Sequence, residues 1–312
     1  MAKTRDIKRR IKSVKNTSKI THTMELVATA KAKLCQNRIQ KAIPYFKALA
    51  EIAGEARKAG GNAEAGQPLH ALLVTREVKT VVLLVVAGNR GLCGGYNGNV
   101  FRMARRRQQE LEQQGVKVRI FSSGKKTIGW LKFQGIANEG KYTQFEDKPA
   151  YAQVETVANE LMRMLEDGEV DRVEVAYTHY LSAGRQAPVT ETLLPIESAA
   201  EDEVKALVAE RSGAKAARGE KKKGTAEVQF LIEPDPRSIL DAIFPLQVRL
   251  HLYRVYLEAA ASEQIARRVA MKNASDNAEE VGKSLRMQYN RARQSQITKE
   301  ILEVMGGAEA LA

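Results

Sequence analysis

LQVRLHLYRVYLEAAASEQIARRVAMKNASDNAEEVGKSLRMQYNRARQSQITKEILEVM, residues 246–305, is the stretch that decides the fold. It contains no Pro, and Gly282 is its only Gly. It is rich in Ala, Glu, Arg and Met, which favour helix. Just upstream, Asp235-Pro236 supplies an N-cap followed by Pro at the first helical position, and Pro245 is expected to bend the early part. Gly306-Gly307 is expected to stop it. A helix of this length spans roughly 90 Å. It needs a partner along its length, because propensity alone rarely holds a helix. Val281, Leu285, Tyr289 and Ala292 form one stripe at spacings of 4, 4 and 3, and Ala266, Ala270, Ala274 and Ala278 extend it thinly. Such small residues suit close approach by another helix.

The other end of the chain offers that partner. Residues 4–43 also read as one helix, with Ile7, Ile11 and Val14 recurring at 4 and 3. Ile20, Val27 and Leu34 follow at sevens, with Met24 between the first two. The step of six from Val14 to Ile20 makes the stripe slip, as in an imperfect coiled coil. Pro44 should end or kink this helix, which then resumes to Lys58.

Between the helices the pattern changes. Thr80–Ala87 is a continuous apolar, β-branched run typical of a buried parallel strand. The loop GNRGLCGGYNG (residues 88–98) follows, then a helix over Arg102–Gln113 and a strand over Val116–Phe121. A Gly- and Lys-containing turn, Ser122–Lys126, leads to an amphipathic piece over Ile128–Phe133. Tyr151–Leu165 is a helix with Val154, Val157, Leu161 and Leu165 on one face. Val170–Tyr180 and Val189–Ile196 are further strands. The expected class is α/β: a long antiparallel coiled coil of the terminal helices plus a Rossmann-like domain with a mainly parallel sheet. The expected division is a shaft of residues 1–58 and 236–312 and a globular domain of 70–235. Within that domain, 198–224 reads as a charged, Ala-rich surface insertion with few core residues.

The chain carries a formal net charge of +13 over 312 residues. Residues 1–41 hold 12 Lys/Arg against 2 Asp/Glu, and residues 262–300 hold 8 against 5. These segments carry the whole excess, so a basic rod stands on a neutral body. A basic rod suits nucleic acid or an acidic protein surface. Two cysteines, Cys35 and Cys93, make no disulfide framework and suggest a reducing compartment. No signal peptide is visible, and the apolar run Val81–Ala87 is far too short to span a bilayer.

Chemistry is not apparent. Glycines 88, 91, 94, 95 and 98 follow a strand and open a helix, the setting of a phosphate cradle. Yet the loop lacks Gly-x-Gly-x-x-Gly, Gly-Lys-Ser/Thr and any acidic group for ribose or magnesium, so the glycines read as structural. His22, His70, His179 and His251 are scattered and form no ligand pattern. Cys93 has no nearby His and reads as a small buried hydrophobe. No catalytic, cofactor-binding or metal-binding residue is assigned.

Several separated motifs match one family. IKRRIKSVKNT (7–17), Ile20-Thr21, MELVA (24–28) and Lys31 resemble the start of the gamma subunit of F-type ATP synthases. So do NRGLCGGYN (89–97), EPDP (233–236), SEQ (262–264), AMKNASDN (270–277) and YNRARQ (289–294). The most specific piece is ITKEI (297–301) followed by GGA (306–308). The resemblance covers both ends closely and the middle loosely. It implies a central rotor that couples rotation of a membrane ion-translocating ring to ATP synthesis or hydrolysis at catalytic beta subunits. The paired terminal helices would lie inside a hexamer of alpha and beta subunits. The α/β domain would sit on the membrane c-ring beside the epsilon subunit. It also implies hydrogen ion transport by the complex, no catalysis by this subunit and no cofactor or nucleic acid. The chain would lie at the cytoplasmic side of a bacterial plasma membrane, held there only through the complex. By the same matching, Arg267, Arg293, Gln294, Thr298 and Glu300 fall at hexamer contacts, Met24 at a coupling position, and Phe230 and Glu233 near the ring. Photosynthetic relatives carry a redox-switched cysteine pair in a central insertion; residues 198–224 have no Cys, so thiol control is not expected. The alternative from another class is a basic coiled-coil protein that binds nucleic acid.

Overall fold

The computed structural model describes residues 2–60, 70–196 and 236–309. In chain order the elements are α1 (Ala2–Gly60), β1 (Thr80–Val86), α2 (Tyr96–Gln113), β2 (Lys117–Ser123), α3 (Lys125–Gln134) and β3 (Gly140–Tyr142). Then follow α4 (Tyr151–Glu166), β4 (Arg172–Ser182), β5 (Arg185–Leu194) and α5 (Pro236–Glu309). A short 3-10 turn covers Ala71–Leu73. The expected insertion at 198–224, Asp235, and the ring residues Phe230 and Glu233 lie outside the described residues. Two compact units can be separated. One comprises Met1–Ala30, Leu92–Gly94 and Gln264–Ala312; the other comprises Lys31–Gly91 and Gly95–Glu263.

In the first unit the two helices run antiparallel. Thr4 Oγ1 donates to Gln296 Oε1 at 3.2 Å, and Ser275 Oγ donates to Ser18 O at 3.5 Å. A Cβ placed on Gly282 would stand 3.8 Å from Val14. As numbers rise on one helix they fall on the other. The seam corrects the slipped stripe. On α1 the covered positions Thr4, Ile7, Ile11, Val14, Ser18, Thr21, Glu25 and Ala28 alternate at 3 and 4, and Met24 is half-covered beside Glu25. Ile20 is 61% exposed and Val27 49%. On α5 the covered positions include Ser275, Ala278, Gly282, Leu285, Tyr289, Ala292 and Gln296, while Val281 is exposed. The physical reason is space: small and hydroxylated side chains let the backbones approach, and their hydroxyls are satisfied locally. Thr21 Oγ1, for example, donates to Thr17 O at 3.1 Å. Reading only large apolar residues misses such a seam.

The second unit is built on a five-stranded sheet of order β3-β2-β1-β4-β5. The first four strands pair in parallel, and β5 runs antiparallel to β4. Both faces of β1 are covered, which is why it is apolar throughout. Val82, Leu84 and Val86 pack with Val157 and Leu161 of α4 and with Leu240, Phe244, Val248 and Leu252 of α5. Leu83 and Val85 pack with Val100 and Ala104 of α2 and Leu131 of α3. Cys35 and Ile39 of α1 cluster with Leu257 and Ala261 of α5 in this unit.

Several boundaries differ from those read in the sequence. α1 does not end at Pro44. α5 runs past Gly306-Gly307 to Glu309, since glycine permits a stop without imposing one. α2 starts at Tyr96 instead of Arg102 and accepts Gly98 inside its first turn, at a cost of about 1 kcal/mol. β5 starts at Arg185, joined to β4 by the two-residue turn Ala183-Gly184, and it holds Pro188. An edge strand tolerates Pro on its unpaired side.

Candidate functional site

The glycine loop is held by its own chain. Gly88 N donates to Asn97 Oδ1 at 2.9 Å, and Lys125 N donates to Asn89 Oδ1 at 2.9 Å. Asn89 Nδ2 donates to Phe145 O, and Tyr96 OH donates to Ala259 O at 3.1 Å. A Cβ on Gly88 would come within 2.9 Å of the Glu263 carboxylate, so the Gly makes room for α5. In the other unit Gly94 has φ +57° and lies against Ala270. A cleft at the C-terminal ends of β1 and β2 is lined by Arg90 and Lys125 but also by Glu146, Asp147 and Glu263. This is where doubly wound sheets take ligands. Here three carboxylates face any incoming phosphate, and like charges in one cleft disfavour its binding. Gly88 and Gly94 thus have structural reasons of their own. Cys35 and Cys93 are both buried thiols outside any disulfide; burial raises the Cys35 thiol, against the lowering effect of Arg38.

The surface that stands out is the end of α5. Arg293, Gln294, Thr298 and Glu300 are all exposed there on two turns of helix. Thr298 Oγ1 donates to Gln294 O at 3.0 Å, and Gln296 Nε2 donates to Glu300 Oε1 at 2.8 Å. Between and beyond them Ile297, Ile301, Leu302, Val304 and Met305 are exposed, Val304 by 73%. A helix end that shows polar and large apolar groups together has the make-up of a partner-binding surface. Met24 and Arg267 belong to the same unit but lie apart from this patch. Met24 is half-buried, and Arg267 is 8% exposed with interactions inside the chain.

Sequence reasoning missed a buried polar network in the second unit. Tyr177 OH donates to Glu191 Oε1 at 2.6 Å, and Arg254 Nη2 donates to Glu191 Oε2 at 3.1 Å. His251 Nε2 lies 3.3 Å from the same oxygen. His179 Nδ1 lies 2.6 Å from Oε2 of Glu258, which is fully buried. Burial alone would raise the Glu191 carboxyl; the His251 hydrogen bond and the Arg254 charge overcome it and bring the group down to about 2. Burial, with Glu258 and Glu191 nearby, pushes the Tyr177 phenol well above its usual range. His179 and His251 are 72 residues apart in the chain, so no spacing could reveal them. The signal that was available is His251, Arg254 and Glu258 at i, i+3 and i+7, one face of a helix.

A sequence model described as ATP synthase matches residues 3–311. The ATP synthase gamma chain of Leptospira biflexa is 39% identical over 100% of both chains. That of Cyanothece sp. is 42% identical, again over 100% of both.

The chain belongs to the ATP synthase gamma chain family.

The gamma chain of Rhodopirellula baltica agrees, at 40% identity over 100% of this chain and 99% of its own. Among solved structures, a chain of the Euglena gracilis mitochondrial ATP synthase, OSCP/F1/c-ring, matches with a TM-score of 0.63. It covers 99% of this chain and 95% of its own at 21% identity, a likeness of fold. The gamma-family fold thus accounts for the antiparallel terminal helices and the mainly parallel sheet together. The nucleic-acid alternative gains no support.

Proposed function

We propose that this gamma-family chain is the central rotor of its ATP synthase and carries no catalysis of its own. The α5 end enters a hexamer of alpha and beta subunits. The α/β body stands on the membrane c-ring beside the epsilon subunit, on the cytoplasmic side of a bacterial plasma membrane. Rotation driven by the ring turns the helices, and their asymmetry drives the beta sites through successive states. The observation that carries this is the exposed mixture on α5: Arg293, Gln294, Thr298 and Glu300 beside Ile297, Ile301 and Leu302. Polar contacts of this kind are directional yet reversible, and exposed apolar groups supply adhesion that does not depend on orientation. A rotor must meet several partners in turn without locking to one. Arg267 serves the hexamer contact, Met24 the coupling of rotation to catalysis, and Phe230 and Glu233 the ring.

The test is Arg293→Ala with Gln294→Ala. Exposed substitutions shift stability by less than about 0.5 kcal/mol, so the melting of the isolated chain should hold. ATP hydrolysis by the reconstituted complex should fall well beyond that. Unchanged assembly and turnover would withdraw the contact assignment.

A further inference from the structure

The buried network has a geometry that stability alone does not require. His251, Arg254 and Glu258 stand on one face of α5, and their partners Tyr177, His179 and Glu191 stand on β4 and β5. Most of the rest of the α5 seat is apolar: Leu240, Phe244, Val248, Leu252 and Val255 are buried in the core cluster. Outside the network, Arg249 Nε donates to Asn159 Oδ1 of α4 at 2.8 Å, and Ser262 Oγ donates to Thr178 O of β4 at 3.2 Å. Apolar contact is non-directional, so a helix can turn or slide in such a groove while keeping much of its burial. Hydrogen bonds and ion pairs have narrow distance and angle limits. A one-residue rotation, roughly 100°, would carry all three α5 groups away from their partners. Glu191, only 17% exposed, would then lose its compensating cation. An uncompensated buried charge is strongly destabilising, whereas an intact buried pair contributes little net stability over well-packed apolar groups. What the network adds over an apolar seat is therefore register.

We infer that these six side chains are the rotational lock of α5. They fix the angle of the helix about its own axis against β4 and β5, so that torque on α5 reaches the sheet instead of turning the helix in its seat. The inference rests on the rotor reading. It makes Glu191 and Arg254 positioning residues for coupling, remote from any nucleotide.

The test uses the complex reconstituted in vesicles. Glu191→Leu, Arg254→Met and His251→Leu together replace the Glu191 half of the network by apolar groups of similar size, and His179→Leu with Glu258→Leu is added to remove the other ion pair. Glu191→Gln is the milder companion, for use if the combined variant does not fold. ATP hydrolysis and ATP-driven ion pumping are measured as the opposing ion gradient is raised. A folded variant should hydrolyse ATP normally without a gradient, and ions pumped per ATP should drop severalfold as the gradient grows. Arginine and glutamate that served only stability would change melting and yield of complex, and leave pumping per ATP untouched. A folded, assembled variant that pumps like the parent at every gradient overturns the lock. Equal pumping by a complex lacking this chain overturns the rotor reading instead, and the lock with it.

Discussion

Glu191 shows how much one side chain can carry. Its carboxyl is held at about 2, against an ordinary value of 4.5, by His251 and Arg254 in spite of burial. A folded-state value below the unfolded one means stability that is present above about pH 4.5 and lost as pH falls toward 2. A depression of that size corresponds to about 3 kcal/mol at neutral pH. Denaturant unfolding of the parent and of Glu191→Gln should differ by that order at pH 7, and the gap should narrow steadily below about pH 4.5. A gap independent of pH would show that the carboxylate charge is not what matters. Gly124 is the backbone counterpart. Its φ is +100°, and an added Cβ would stand 2.2 Å from Ala87 O. Gly124→Ala should cost about 3 kcal/mol or more, because strain and overlap combine, and thermal melting would register it. The Gly content of the Ser122–Lys126 turn was legible in the sequence. That Gly124 is indispensable was not, since that depends on a carbonyl 37 residues away. The network around Glu191 was illegible for the same reason: its members come from β4, β5 and α5, brought together only by pairing and packing.

Elements with a strong period were readable, and those with a weak one were not. β1 and α4 stood out because their apolar residues mark buried faces without interruption. β3 has three residues and no alternation to read; its Gly140 is there because a Cβ would collide with the Phe121 ring. The antiparallel pairing of the ends was legible from length and small residues. Its seam was not, because Ser18, Thr21 and Gly282 hold positions where large apolar residues were sought. A disulfide tests the corrected seam. Ser18→Cys with Ser275→Cys should join within one molecule on oxidation, seen as a mobility shift that reductant reverses. Val27→Cys, on the exposed flank, should not join to a Cys at 266, the position level with it in the same register. The opposite result would restore the seam through Val27. On the sheet, Arg107 donates to both oxygens of Glu174 at 2.7 Å, and Glu174 is 2% exposed. Arg107→Met strips most of that compensation, leaving Arg172 at 3.7 Å. The loss should approach 3 to 5 kcal/mol, roughly the cost of breaking a buried pair, read as a fall in denaturant midpoint at constant slope.

For the whole molecule, the charge distribution and the family point the same way. Residues 1–41 carry a net +10, and Lys8, Arg9, Lys12, Lys15 and Lys19 are exposed along α1. Long-range attraction to acidic partners aids encounter and is screened within about 8 Å at physiological salt. Assembly of the complex should therefore slow as salt rises, while the finished complex holds. As a rotor, this chain must turn against the hexamer. The direct measurement fixes the alpha–beta hexamer to a surface, attaches a bead to a cysteine introduced on the α/β body, and adds magnesium and ATP. Stepwise rotation of the bead in one direction is expected, stopping when ATP is removed. A bead that stays still while the same complexes hydrolyse ATP would contradict it.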